Sequence, residues 1–224
     1  MLLYGEIEMI KAIAGGVISL LSGVILAGGA HRGTNGKNRA FLTIGGETLL
    51  ERQIREMRTC CDEITIVTGE PDLLRRSVDR DVRIISDYFG GEGLLSGFHA
   101  GIALSGNEEV WVLGCHMPFP SSQAAMLLYS RMMQGGGLAA IPFIRGAAIP
   151  LHGIYDRSVS EISGKLLDRG RTEFSELLAA IDVVKVEAYS FESEGVNGKF
   201  ARSVRTDEEY QAIVAESEAR IAKA

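Results

Sequence analysis

The sequence is poor in several features that would settle its class at a glance. Only five prolines occur in 224 residues, so neither a collagen-like nor a proline-rich low-complexity chain fits. The three cysteines, Cys60, Cys61 and Cys115, form one adjacent pair and a singleton. That pattern offers no even disulfide framework and no zinc-ligand spacing, and it agrees with a reduced, cytoplasmic setting. Long glycine-free apolar runs are missing too. Ala12 to His31 is twenty residues without an acidic or strongly basic side chain, but five of them are glycine; a buried strand with its flanking loop suits this composition better than a membrane span or a signal segment. Positive charge is also scarce. Lysine plus arginine is 23 against 29 for aspartate plus glutamate, a formal net charge of -6, which leaves no broad basic face for nucleic acid but allows a local cationic pocket. With 46% hydrophobic and 23% charged residues, the composition is that of a globular chain, long enough for one large domain or at most two small ones.

Glycine is what the sequence has in excess: 27 residues, about 12% where roughly 7% is usual. The glycines punctuate a repeated strand, turn and helix. Val24 to Ala27 is a short apolar run ending at Gly28-Gly29, as a buried parallel strand would. Gly45-Gly46 marks a turn; Thr48 with Glu51 then forms a capping box for a helix carrying Leu49, Leu50, Ile54 and Met57. Glu63 to Val67 and Asp81 to Ser86 read as strands. Gly90, Gly91 and Gly93 lead into a helix from Leu94 to Leu104, Val110 to Gly114 reads as a strand, and Ser121 to Gln134 as a helix stopped by three glycines. The spacing predicts an α/β fold with a mostly parallel sheet and right-handed crossovers. The last third is less regular: an apolar stretch from Leu138 to Tyr155, helices over 159–168 and 172–180, a strand from Asp182, and a final helix capped by Thr206 and Glu209.

Three segments could carry chemistry. The loop from Gly28 to Ala40 holds Arg32, Lys37 and Arg39 and no carboxylate. A glycine-rich turn lets backbone N–H groups approach phosphate, and nearby cations neutralise it; a solvated basic loop is the other reading. The spacing is not that of a Walker A loop, because His31 stands where its first glycine would be and Asn38 follows Lys37. The second segment, Gly90 to Gly97, narrowly misses the dinucleotide pattern, with Ser96 in place of the third glycine. The third is Cys115-His116-Met117-Pro118 at a strand's carboxyl end, where open α/β sheets bind ligands. Asp87 follows another strand at the same edge and reads as a metal ligand, a ribose partner or a solvated turn residue.

These residues resemble a known family. VILAGG at 24–29, Arg32 and NRAFLTIGGETLLE at 38–51 are similar to the opening of the molybdenum cofactor guanylyltransferases and their nucleotidyltransferase relatives. GEGLLSGFHAGI at 91–102, WVLGCHMPF at 111–119, PLHGIYDRS at 150–158, LLDRGRTEFSELL at 166–178 and SVRTDEEY at 203–210 continue the resemblance in order. It implies a Rossmann-like nucleotidyltransferase fold of the nucleotide-diphospho-sugar transferase type, with helices on both faces of the sheet. Residues 1–18 then read as an N-terminal extension without an assigned role, and 19–224 as one domain. The implied reaction joins GMP from GTP to the terminal phosphate of molybdenum-bound molybdopterin and releases pyrophosphate, with Mg2+ as the usual ion. Molybdopterin is the implied small-molecule partner, molybdoenzymes or cofactor-insertion proteins are candidate protein partners, and neither nucleic acid nor membrane is expected.

By position, Leu26, Ala27, Gly28 and Gly29 would hold the nucleotide through backbone groups, with Asp87 and Gly93 lining its site. Arg32, Lys37 and Arg39 would be the catalytic phosphate cations; Arg39 aligns with the family's loop lysine, and Lys37 is the other occupant of that role. Three positions depart from the family. His116 stands where its metal-binding aspartate would be, and Ser203 and Arg205 stand where its tail has two asparagines. Neutral imidazole is a poor Mg2+ ligand. Two alternatives to guanylyl transfer therefore stay open: a relative that binds nucleotide or pterin without turnover, and a nucleotidyltransferase for another phosphorylated small molecule.

Overall fold

A computed structural model describes residues 21–28, 38–86 and 93–221. Its first strand, β1 (Leu21–Leu26), is fully buried. After a 3-10 turn at Arg39–Phe41 come a small hairpin, β2 (Thr43–Ile44) and β3 (Glu47–Thr48), and helix α1 (Leu49–Met57). Gly45 and Gly46 make the hairpin turn with φ of 63° and 84°, a region that favours glycine. The expected capping box is formed: Thr48 Oγ1 accepts from Glu51 N–H at 3.1 Å and Glu51 Oε2 accepts from Thr48 N–H at 2.8 Å.

Next come β4 (Cys61–Val67), the single-turn α2 (Pro71–Leu74), β5 (Arg83–Ile85), α3 (Gly93–Ala103), β6 (Glu109–Gly114) and α4 (Ser122–Gly135). Helix α4 is capped by Ser121 and ended by Gly136 in the left-handed region. The stretch from Leu138 to Tyr155 resolves into three strands, β7 (Ala139–Ile144), β8 (Ala147–Ala148) and β9 (His152–Asp156). Helices α5 (Val159–Leu167) and α6 (Phe174–Ala180), strand β10 (Val183–Glu187), the short α7 (Ala188–Ser193), a 3-10 turn at Gly198–Ala201 and α8 (Asp207–Ile221) complete the chain.

The main sheet has the order β10-β7-β9-β6-β1-β4-β5, with β8 pairing β7. Strands β5, β4, β1 and β6 are parallel, whereas β9 runs antiparallel to both β6 and β7. The sheet is thus mostly parallel, as the spacing predicts. Side chains alternate between two cores, following the two-residue period of a strand. Ile25, Ile66, Trp111 and Leu113 meet α1 and α4 on one face; Val24, Leu26, Val110 and Val112 meet α3, α5 and α6 on the other.

Two glycines let α3 rest directly on the sheet. A Cβ at Gly97 would lie 3.6 Å from Val67 Cγ1, and one at Gly101 only 2.5 Å from Val24 Cγ1. In the described part of that segment Ser96 is fully buried in α3, and Gly97 lies one helical turn before Gly101, while Gly90 and Gly91 lie outside the described residues.

Candidate active site

The chain runs from β1 outward to β4 and β5, then returns to β6 on the other side of β1. That reversal opens a crevice at the carboxyl ends of β1 and β6, the place where open α/β sheets take ligands. Backbone hydrogen bonds continue past the strand ends. Ala27 N–H donates to Val67 O at 2.8 Å, Cys115 N–H to Leu26 O at 3.0 Å, and Thr68 N–H to Ile85 O at 3.0 Å. The floor of the crevice is therefore a rigid extension of the sheet.

The turn bearing His116 is fixed from three sides. Met117 N–H closes it onto Gly114 O at 3.0 Å, and Val204 N–H from the chain's tail donates to His116 O at 2.7 Å. From below, the fully buried Gln53 of α1 sends Nε2 to Gly114 O at 3.0 Å and Met117 O at 2.8 Å. The imidazole folds back over Gly114, where an added Cβ would stand 2.5 Å from His116 Cε1. Burial, then the positive charges of Arg205 and Arg39, push the His116 pKa down to about 4, so the ring is neutral at pH 7.

Arg39 comes from the 3-10 turn, whose Asn38 Oδ1 accepts from Ala40 N–H at 3.0 Å. Its Nη2 donates to Arg205 O at 3.4 Å, and its buried Nε has no hydrogen-bond partner among the described residues. Arg205 precedes α8. Its N–H donates to Glu209 Oε2 at 2.6 Å, and the same oxygen accepts from Thr206 N–H at 3.2 Å.

A cleft of about 880 Å³ results, within the usual range for small-molecule sites. Leu26, Gly28, Gly93, Arg39, His116, Ser203 and Arg205 all line it. Gly93 opens α3 with φ of 83°. Ala27 is instead buried, with its N–H committed to Val67. Arg32, Lys37, Gly29 and Asp87 lie outside the described residues.

The opposite wall was not anticipated from the sequence. Ile149, Pro150 and Leu151, from the link between β8 and β9, join Phe174 and Leu178 of α6. Gln53 was also missed, although a signal existed: an amide sits among Leu49, Leu50, Ile54 and Met57 on the buried side of α1. No aspartate or glutamate is among the described residues lining the cleft, and no group of three or more His, Cys, Asp or Glu side chains suited to a metal occurs among the described residues.

The model of the MobA-like NTP transferase domain matches residues 23–183. The chain belongs to this family. Among its relatives is a molybdenum cofactor guanylyltransferase of Desulfosudis oleivorans, 30% identical over 152 residues, which are 67% of this chain and 73% of that one. Two solved structures share the fold. Molybdopterin-guanine dinucleotide biosynthesis protein A of Archaeoglobus fulgidus has a TM-score of 0.74 at 19% identity, covering 91% of this chain and all of that one. A 2-C-methyl-D-erythritol 4-phosphate cytidylyltransferase of Thermus thermophilus has a TM-score of 0.61 at 16% identity, covering 88% and 98%. Family membership puts the cleft between β1 and β6 at the centre of interest, because it gathers the ends of three parallel strands. No helix among the described residues is long and apolar enough to cross a membrane.

Proposed function

We propose that the chain transfers GMP from GTP to the terminal phosphate of molybdenum-bound molybdopterin. An oxygen of the pterin phosphate attacks the α-phosphorus of GTP; the bond between the α-phosphorus and the bridging oxygen breaks, and pyrophosphate leaves with the electron pair. Little covalent chemistry is asked of the protein beyond alignment of the two phosphates and neutralisation of the charge that grows on the leaving group. The observation that carries this reading is the cationic crevice at the strand ends of a MobA-like domain, with Arg39 and Arg205 facing a space large enough for a nucleotide.

The roles follow from position. Gly28, at the end of β1, has open space where a side chain would stand, so its backbone can approach a ligand closely. Gly93 and the first turn of α3 present the positive end of a helix dipole to the same cleft. Arg32, Lys37 and Asp87 lie outside the described residues, and their expected roles as phosphate cations and nucleotide contact rest on the family resemblance alone.

A divalent ion is implied by the family, and the described residues do not suit one. Magnesium prefers carboxylate and carbonyl oxygens. The titratable side chains of the described lining are one neutral imidazole and two guanidiniums, with no carboxylate, so no step is assigned to a metal. The test is pyrophosphate release from GTP in the presence of molybdenum-bound molybdopterin. Release that depends on both substrates supports the assignment. No release under any divalent ion, or without one, overturns it; faster release with CTP than with GTP would move the chain to a different nucleotide.

A further inference from the structure

Among the described residues, the cleft brings two arginines and a neutral histidine together with no carboxylate in its lining. Arg39 and Arg205 come from positions 166 residues apart and meet through the Arg39 Nη2 to Arg205 O contact. The His116 imidazole lies beside them, held by the Val204 N–H to His116 O hydrogen bond of the same tail. Glu209 influences His116 electrostatically, but its Oε2 is engaged by the Arg205 and Thr206 N–H groups at the start of α8. A divalent cation entering here would meet two fixed positive charges and no lining carboxylate among the described residues. A polyphosphate would meet two guanidiniums, each able to donate to two oxygens. The buried Arg39 Nε, without a partner among the described residues, is a donor whose desolvation only a ligand acceptor would offset.

We propose that Arg39 and Arg205 form a polyphosphate site that does the work of the family's divalent ion, so that this chain binds the phosphates of its nucleotide without metal. The inference deepens the proposed reaction by assigning the groups that hold the pyrophosphate portion of GTP. In the transfer step the same two guanidiniums neutralise the negative charge gained by the departing pyrophosphate as its bond to the α-phosphorus breaks.

The test is titration calorimetry of the full chain with inorganic pyrophosphate, once in a chelator and once in excess Mg2+. Pyrophosphate requires neither the pterin acceptor nor a guanine site, so a failed transfer assay leaves this measurement intact. Binding in chelator, unchanged or weakened by Mg2+, is expected. Arg205→Ala, at an exposed position, should weaken binding at least tenfold without altering the urea midpoint, and Arg39→Lys should weaken it severalfold because an ammonium cannot reproduce the fork. His116→Asp alone should also weaken binding, because the new carboxylate competes with phosphate for the two arginines. Only the double variant His116→Asp with Arg205→Asn should bind more tightly in Mg2+ than in chelator. Wild type that binds only with Mg2+, or tenfold more tightly with it, overturns the proposal, and so does an Arg205→Ala protein that binds as wild type does.

Discussion

Replacing Gln53 by methionine tests how the turn carrying His116 is held. The two side chains are close in size, so the change removes two hydrogen bonds without opening a cavity of consequence. Its cost depends on what each carbonyl keeps. Gly114 O retains the Met117 N–H at 3.0 Å and loses only a second donor, on the order of 0.5–1 kcal/mol. Met117 O loses the 2.8 Å bond from Gln53; orphaning a buried carbonyl costs about 1–3 kcal/mol. Against this, Gln53 Oε1 is itself buried without a partner, so deleting it returns about 1 kcal/mol. The net loss is about 2 kcal/mol.

For a chain of this length that corresponds to a fall in Tm of roughly 4–8 °C. Urea unfolding is the better assay, because a shift in midpoint at constant slope isolates stability from changes in compactness. Gln53→Glu separates the hydrogen bonds from simple bulk. Its carboxyl can donate only while protonated, and burial would raise its folded pKa above the unfolded value, so that variant's stability should be greatest at low pH and should fall as pH rises through the folded pKa. A Gln53→Met midpoint within about 0.2 M of wild type, less than 1 kcal/mol at the usual urea slopes, would refute the reasoning. It would mean that the Val204 and Met117 backbone bonds suffice to hold the turn.

Gly101→Ala should destabilise the protein by about 1–3 kcal/mol, as overpacking does, because its Cβ would fall 2.5 Å from Val24 Cγ1 across a helix and sheet that cannot separate locally; urea unfolding measures it. Gly114→Ala drives a methyl to within 2.5 Å of the His116 ring, so the imidazole must shift, and pyrophosphate binding should weaken severalfold by calorimetry. Acid should destabilise the protein through His152, which is fully buried, accepts from Ser121 N–H at Nε2 and has its pKa pushed down to about 4 by burial. With an unfolded pKa near 6.5, the unfolded state takes up the proton first as pH falls, so stability present above about 6.5 drains away down to about 4, by on the order of 3 kcal/mol. His152→Gln should flatten that part of the urea-midpoint profile against pH.

Local chemistry was legible in the sequence where it is settled by neighbours a few residues apart. The Thr48 and Glu51 box, the Gly45-Gly46 turn and the glycine stop of α4 each form as their spacing predicts. The strand expected over 81–86 shrinks to Arg83–Ile85, which pairs with Thr65–Val67 of β4. The stretch from Leu138 to Tyr155 hid three strands, since apolar runs do not record direction. Only pairing with β6, more than thirty residues away, turns β9 antiparallel and brings Pro150 and Leu151 to the cleft wall. The short α7 was likewise invisible: it starts without a side-chain cap and is held by Phe191 packing on Phe200 with ring centroids 4.8 Å apart and the rings tilted by 52°.

The cation cluster shows why the site could be read only in part. Composition gave an acidic chain, and the resemblance marked positions 116, 203 and 205 as departures, but neither shows that the departures are physically coupled. One strap joins them: Val204 N–H bonds His116 O, and the next residue's carbonyl accepts from Arg39. A carboxylate at 116 beside arginine at 205 would form an ion pair within the cleft, with its charge already spent before a metal or phosphate arrived. Histidine at 116 avoids that pairing and leaves both guanidiniums available to an anion. Surrounded by a protein of net charge -6, such a focused positive site draws polyphosphates to one place on an otherwise repelling surface. On the proposed reading, His116 and Arg205 therefore make better physical sense as one exchange of metal for guanidinium than as separate losses.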